Sequence, residues 1–182
     1  MKLRYYQRNA IDALHDWFDS RPVGEHPLLS LPTAAGKTII FSHFIKEVLA
    51  KDPNARFLVL AHRKELVSQA EIKLKTVWSG APTGVLAAGM KRFEHDAQIL
   101  IASRDTLASP KRLEKVGGFD YMIIDEAHNI SPDSFTRYKK IINILSAIKP
   151  MKVMGCTATP YRMGQGYIYG DRKDHFFKDI AY

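Results

Sequence analysis

Two rhythms of apolar positions alternate along the chain. Short runs, Leu28 to Leu31, Phe57 to Ala61, Val85 to Ala88, Gln98 to Ala102, Tyr121 to Ile124 and Lys152 to Thr157, read as strands, several apolar enough to be covered on both faces. Between them, apolar residues recur at helical spacing. Ala10, Ile11, Leu14, Trp17 and Phe18 mark a helix from Tyr5 to about Asp19. Ile39, Ile40, Phe41, Phe44, Ile45, Val48 and Leu49 mark one ending near Asp52-Pro53-Asn54. Leu66, Val67, Ala70, Leu74 and Val77 follow a start at His62-Arg63-Lys64-Glu65, and Phe135, Tyr138, Ile141, Ile142, Leu145 and Ile148 follow Ser131-Pro132-Asp133. Strands alternating with helices predict an α/β fold, a mainly parallel sheet with helices on both faces.

Breakers separate these elements. Pro22, Gly24 and Pro27 predict a loop before the first strand, and Gly117-Gly118 a turn before Tyr121. Beyond Pro160 the period disappears and Gly164, Gly166, Gly170, Tyr161, Tyr167 and Tyr169 dominate. Residues 1–160 therefore read as one domain and 161–182 as a loop or hinge, with a surface tail as the alternative.

The junction of the first strand and second helix, Leu31-Pro32-Thr33-Ala34-Ala35-Gly36-Lys37-Thr38, carries the first candidate chemistry. A phosphate-binding loop needs backbone N–H groups converging on a phosphate, a Lys for the β- and γ-phosphates and a hydroxyl for Mg²⁺. Thr33 to Gly36, Lys37 and Thr38 supply them, although Leu31 stands where the strict pattern has its first Gly. The helix adds the positive end of its dipole. At the end of the run Tyr121 to Ile124 come Asp125 and Glu126, where α/β sheets place ligands. Asp125 would hold Mg²⁺ and Glu126 would orient and deprotonate a water, which predicts ATP hydrolysis. An acid-decorated helix start is the plain alternative, and a small phosphate-loop kinase fits poorly because Glu126 favours transfer to water.

Asp125-Glu126-Ala127-His128 resembles the DEAH form of motif II in superfamily-two helicases and translocases, and Cys156-Thr157-Ala158-Thr159-Pro160 resembles their motif III. Leu3-Arg4-Tyr5-Tyr6-Gln7 is similar to their adenine-reading Q motif. The order and spacing match the first RecA-like domain of that superfamily over essentially the whole chain. Within it, the chain resembles the RadD group of bacterial DNA-repair ATPases through Leu60-Ala61-His62-Arg63-Lys64-Glu65-Leu66-Val67, Ala87-Ala88-Gly89-Met90-Lys91-Arg92 and Thr157-Ala158-Thr159-Pro160-Tyr161-Arg162-Met163-Gly164.

The resemblance implies that Arg4 and Gln7 sit at the adenine, the Gln7 amide pairing with its edge. It implies that His128, Thr157 and Thr159 couple the γ-phosphate to a strand-binding surface. His62, Arg63 and Lys64 occupy the motif Ia position and would hold phosphates of a single strand, against the plainer reading of a solvated basic helix start. Lys91 and Arg92 are further candidates, as are Ser103, Arg104 and Thr106, although Ser103 and Thr106 suit a helix cap equally well. It also implies a second RecA-like domain, in cis or trans, supplying an arginine finger. This chain has no motif of that domain, so the expectation is an excised or truncated piece that hydrolyses ATP weakly alone.

Composition narrows the setting. At 182 residues and 46% hydrophobic content the chain can bury one substantial core. A net charge of +8 favours a polyanionic partner, and with the RadD likeness single-stranded DNA is favoured over RNA, in repair or recombination. Cys156 stands alone and within a strand, so no disulfide or zinc cluster can form inside the chain, which fits a reducing cytosol. The N-terminus does not read as a secretion signal, and no run approaches the roughly 18 apolar residues of a membrane span. The expected location is cytoplasmic. Two alternatives stand beside the helicase: a nucleotide-regulated DNA-binding module without motor activity, and the motor domain of a restriction-type translocase.

Overall fold

A computed structural model describes residues 2–130, 132–162, 164, 166–171 and 175–182, and the backbone alone at 132–136. In chain order the elements are α1 (Tyr5–Ser20), β1 (Pro27–Ser30), α2 (Lys37–Lys51), β2 (Phe57–Ala61), α3 (Lys64–Val77), β3 (Thr83–Ala87), β4 (Arg92–Phe93), β5 (Ile99–Ser103), α4 (Arg104–Leu107), α5 (Pro110–Val116), β6 (Tyr121–Ile124), α6 (Pro132–Ile148), β7 (Lys152–Thr157), β8 (Tyr161–Arg162), β9 (Gly166–Tyr167) and β10 (Asp179–Ile180). Short 3₁₀ turns follow β3 and β6.

Eight strands form one sheet in the order β10-β1-β7-β6-β2-β5-β3-β4, parallel throughout except where β4 runs against β3. Phe57 to Ala61 and Ile99 to Ser103 are buried at every position. The reason is visible in the two cores. Phe57, Val59, Ala61, Ile99, Ile101 and Ile123 face the layer of α1, α2 and α3. Leu58, Leu60, Leu100, Ala102, Met122 and Ile124 face Leu107, Leu113, Tyr138, Ile141 and Leu145 on α4, α5 and α6. Parallel strands then deliver the loops after β1, β2, β5, β6 and β7 to one edge of the sheet, which becomes the functional edge.

The predicted α/β architecture is observed, with three local differences. The helix expected from His62 begins at Lys64, with Arg63 extended at its N-cap. The short elements β4, α5, β8, β9 and β10 carry no period a sequence reading can use, because a two-residue strand has none. The third difference lies in the segment 161–182, expected as a loop or hinge. Its end returns to the sheet: β10 pairs with β1, Ala181 N–H donates to Leu28 O at 2.9 Å, and Ser30 N–H donates to Tyr182 O at 2.8 Å. Phe177 is buried over Gly155, where an added Cβ would lie 2.4 Å from its ring. One aromatic ring in a core stabilises by roughly 2–3 kcal/mol, enough to hold a short strand that local sequence does not announce. The expectations resting on Ser131, on the side chains of 132–136, including Phe135, and on Met163 lie outside the described residues.

Candidate functional site

β1 ends at Ser30 and α2 begins at Lys37, and the six residues between turn back over the helix N-terminus. Two of them are left-handed, Ala34 at φ 66° and Gly36 at φ 84°. A left-handed residue between others reverses the direction of successive peptide N–H groups and builds an anion-binding concavity. Gly36 is required there twice over, by its φ and because an added Cβ would lie 2.7 Å from Gln7 Nε2. Lys37 Nζ spans the loop, donating to Leu31 O at 3.1 Å and Pro32 O at 3.4 Å.

Two side chains on α1 fix this loop through one atom. Ala35 O accepts from Tyr6 OH at 3.0 Å and from Gln7 Nε2 at 3.1 Å. In a trans peptide the carbonyl and the following N–H point oppositely, so holding Ala35 O toward α1 aims the Gly36 N–H away from α1. Gln7 Oε1 meanwhile accepts from Arg4 N–H at 3.0 Å. The Gln7 amide, expected at the adenine edge, is thus bonded on both its oxygen and its nitrogen inside the protein, and is buried. Arg4 lies at the start of α1 with its guanidinium 3.4 Å from Tyr6 OH. Tyr6 is a site residue that the pattern did not single out; its place beside Gln7 was the available signal.

β6 delivers the two carboxylates. Asp125 is buried at the strand end, where Glu126 N–H donates to its Oδ1 at 3.0 Å and Asp125 N–H donates to Leu60 O. Burial, followed by the adjacent Glu126 charge, raises the Asp125 pKa above the ordinary aspartate range. Glu126 adopts the left-handed conformation at φ 52°, a strained choice for a residue with a Cβ. β7 lies between β1 and β6, so its end borders both the loop and the carboxylates.

There the coupling residues meet. His128 Nδ1 is 3.0 Å from Thr157 Oγ1 and 3.2 Å from Glu126 Oε2. Thr157 Oγ1 accepts from Thr159 N–H at 3.0 Å and donates to Thr159 O at 3.2 Å. Because that hydroxyl has already spent its one proton, its contact with the imidazole is satisfied when His128 Nδ1 carries the hydrogen. Asn129 Nδ2 donates to Glu126 O at 3.0 Å. Arg162, in the strand after Pro160, donates from Nε to His128 O at 3.0 Å and from Nη2 to Ile130 O. Arg162 lay in a quoted motif without an assigned role, since only the folded chain brings it beneath His128.

An open cleft of about 640 Å³ joins these parts, lined by Thr33, His62, Arg63, Glu126, His128 and Thr159. Arg63 and Lys64 are exposed beside it. Burial, then the Arg104 charge, lowers the His62 pKa below the ordinary imidazole value. Lys91 is exposed in a left-handed turn.

The remaining nucleic-acid candidates all have partners within the protein. Arg92 donates to Glu71 Oε2 at 2.6 Å and to Glu94 Oε1 at 2.9 Å, and its pairing holds the Glu71 carboxyl below the usual range. Ser103 caps α4, its Oγ accepting from Thr106 N–H, while its own hydroxyl donates to Thr106 Oγ1 at 2.7 Å. Thr106 Oγ1 in turn accepts from Ala88 N–H at 3.0 Å. Arg104 is buried against Asp105 and the Tyr138 ring. Of the paired readings offered for Ser103 and Thr106, the cap is the one realised.

A parallel sheet with a phosphate loop after β1 and an Asp-Glu pair after β6, linked through His128 to β7, defines a phosphate-loop ATPase domain of helicase type. The residues fit ATP with Mg²⁺: a hydroxyl at Thr38 and a carboxylate at Asp125 are the kind of hard oxygen ligand that cation takes, beside the left-handed turn at Gly36. Residues 1–162 match the family model described as the type III restriction enzyme, res subunit, and the chain belongs to that family. It is 33% identical over 177 residues to irc3 of Schizosaccharomyces pombe, named as a mitochondrial ATP-dependent helicase, covering 93% of this chain and 28% of that protein. Among solved structures, the SWI2/SNF2 ATPase core of Sulfolobus solfataricus in complex with dsDNA is 20% identical, with a TM-score of 0.70, covering 88% of this chain and 32% of that one. The UvsW helicase of bacteriophage T4 is 18% identical with a TM-score of 0.67, covering 99% of this chain and 60% of that one. The chain therefore spans about a quarter of the curated relative, and its α/β fold is shared with these helicase and ATPase-core structures. Among the described residues no helix is long and apolar enough to cross a membrane.

Proposed function

We propose that this domain binds ATP at the Thr33–Thr38 loop and forms the catalytic half of a nucleic-acid-dependent motor acting on DNA. The observation that carries the reading is the junction of the left-handed phosphate loop with the strained Glu126, which hydrogen-bonds outward through His128 and Thr157. Mg²⁺ held by Thr38 and Asp125 would draw charge from the β- and γ-phosphates. Lys37 neutralises the charge that builds on the transferred group, and Glu126 takes the proton of the attacking water. His128, Thr157 and Thr159 pass a change at Glu126 to the cleft that His62 and Arg63 line, where these residues and the adjacent Lys64 hold a single strand, with Lys91 as a further contact. Arg4 and the remaining Gln7 N–H serve the adenine side.

A second RecA-like domain, in cis or trans, completes the site with an arginine; charge stabilisation of that kind is worth roughly 10³ to 10⁵ in rate. The RadD likeness favours single-stranded DNA and a role in repair, in the cytoplasm. The family's description favours a second reading, the motor domain of a restriction-type translocase.

The test is steady-state ATP hydrolysis with and without single-stranded DNA, RNA and duplex, using Glu126→Gln as the blank. Nucleotide binding with turnover near the blank, rising when a second domain is supplied, is the expected result. Robust unwinding by this chain alone would sink the half-motor reading. Duplex stimulation without unwinding, once both domains are present, would favour the translocase.

A further inference from the structure

The cap around Ser103 and the pairing of Arg92 move the available positive charge elsewhere on this side of the molecule. α5 begins three residues after α4 ends, and Arg112 Nη1 reaches back to donate to Thr106 O at 3.0 Å. Its guanidinium also lies over the Phe93 ring, 5.5 Å from the centroid. Phe93 belongs to β4, the antiparallel end of the sheet, and is 45% exposed, unusual for a phenylalanine with a core so near. Between β4 and α5 is a cleft of about 560 Å³ whose rim carries His95, Lys111, Arg112 and Lys115 against one carboxylate, Glu114.

We propose that this cleft is a second contact for single-stranded nucleic acid, with a base stacked on Phe93 and phosphates held by Lys111 and Lys115; the proposal rests on the nucleic-acid reading of the motor. An aromatic face flanked by cations is the arrangement that grips unpaired strands, since every base has a face to stack and every phosphate a charge to meet. Arg112 covers the ring on one side and so pre-orients it. The cleft volume suits a nucleotide unit. A duplex has no base face to offer Phe93, which commits the occupant to an unpaired stretch. The Arg112 bond to Thr106 O ties this cleft to the end of β5, which opens on the functional edge.

The experiment measures affinity of the chain for oligo-dT, oligo-rU and a matched duplex across salt concentration, in wild type, Lys111→Ala/Lys115→Ala, Phe93→Ala and Lys46→Ala/Lys51→Ala. The last pair removes equal charge from α2, in the opposite helix layer. Thermal unfolding confirms that each variant is folded. Losing two single-strand phosphate contacts should flatten the log–log salt slope by about 1.4 and weaken binding roughly tenfold. Phe93→Ala should cost at least about fivefold on single strands and leave the duplex unaffected. Wild-type binding with no change in the α5 variant overturns the cleft while leaving the motor reading intact, and so does an equal loss in the α2 control. Undiminished single-strand binding by Phe93→Ala removes the stacking role and with it the commitment to unpaired bases. Absence of binding by wild type to any of the three polymers overturns the nucleic-acid reading itself.

Discussion

The two halves of the functional edge treat their sequence motifs in opposite ways. At the ends of β1, β6 and β7, residues nominated by pattern converge: the phosphate loop, Asp125, Glu126, His128, Thr157 and Thr159 lie within one hydrogen-bonded region. At the ends of β3 and β5, Arg92, Ser103, Arg104 and Thr106 turn inward and serve the fold. Phosphate chemistry demands particular backbone shapes, and those shapes need Gly36 and a tight spacing that local sequence displays. A charged or hydroxylated side chain at a strand end carries no such mark. Whether it faces a ligand depends on a partner such as Glu71, twenty-one residues away from Arg92.

The contrast can be broken most forcefully in the nucleotide half. Glu126→Gln is expected to cut turnover by at least about 10²-fold, the scale of a positioned general base, while nucleotide binding, read by a fluorescent ATP analogue, persists. Lys37→Ala should lose both. Turnover surviving Glu126→Gln would place the water-activating group elsewhere and dissolve the distinction between the halves.

In the other half, Arg92→Ala should destabilise the fold by about 1–3 kcal/mol in urea unfolding, because it strips the main partner from a nearly buried Glu71 carboxylate. Lys91→Ala, at an exposed position next door, should stay within about 0.5 kcal/mol. Equal, small effects would return Arg92 to the ligand-facing set.

The C-terminal strap offers a pH test. His26, tilted against the Phe176 ring with centroids 4.5 Å apart, is pushed down to about 4 by burial, against an ordinary value near 6.5. The unfolded chain then binds more protons than the native one between those values, so stability falls as pH drops from about 6.5 to 4. The expected loss is about 3 kcal/mol, and His26→Phe should flatten the slope measured by chemical denaturation at each pH. A slope unchanged in that variant would mean that the strap is not seated by this ring.

The smallest effect concerns Tyr6. Removing its hydroxyl leaves Ala35 O with Gln7 Nε2 alone. Loss of one hydrogen bond of about 1 kcal/mol corresponds to roughly fivefold in nucleotide affinity. Tyr6→Phe should weaken ATP and GTP in equal proportion, since what it loosens holds phosphate and not base. A selective loss of ATP by calorimetry would assign Tyr6 to the adenine instead.

Periodicity alone placed most of this molecule. Phe57 to Ala61, Tyr121 to Ile124 and Lys152 to Thr157 are strands with the expected bounds, because residues covered on two faces must be apolar without interruption. Gly36, Lys37, Thr38, Asp125 and Glu126 stood out as candidates in the same way, since phosphate chemistry asks for both identity and spacing. Tertiary structure decided the rest. It folded residues 177–182 onto β1, where Phe177 fills the space above Gly155. It set Tyr6 and Arg162 against carbonyls of Ala35 and His128, contacts across twenty-nine and thirty-four residues. It also spent Arg92, Ser103 and Thr106 inside the protein. A pattern records which face of an element must avoid water; it cannot record which distant carbonyl or carboxylate a polar side chain will meet, because that partner exists only when the chain is closed.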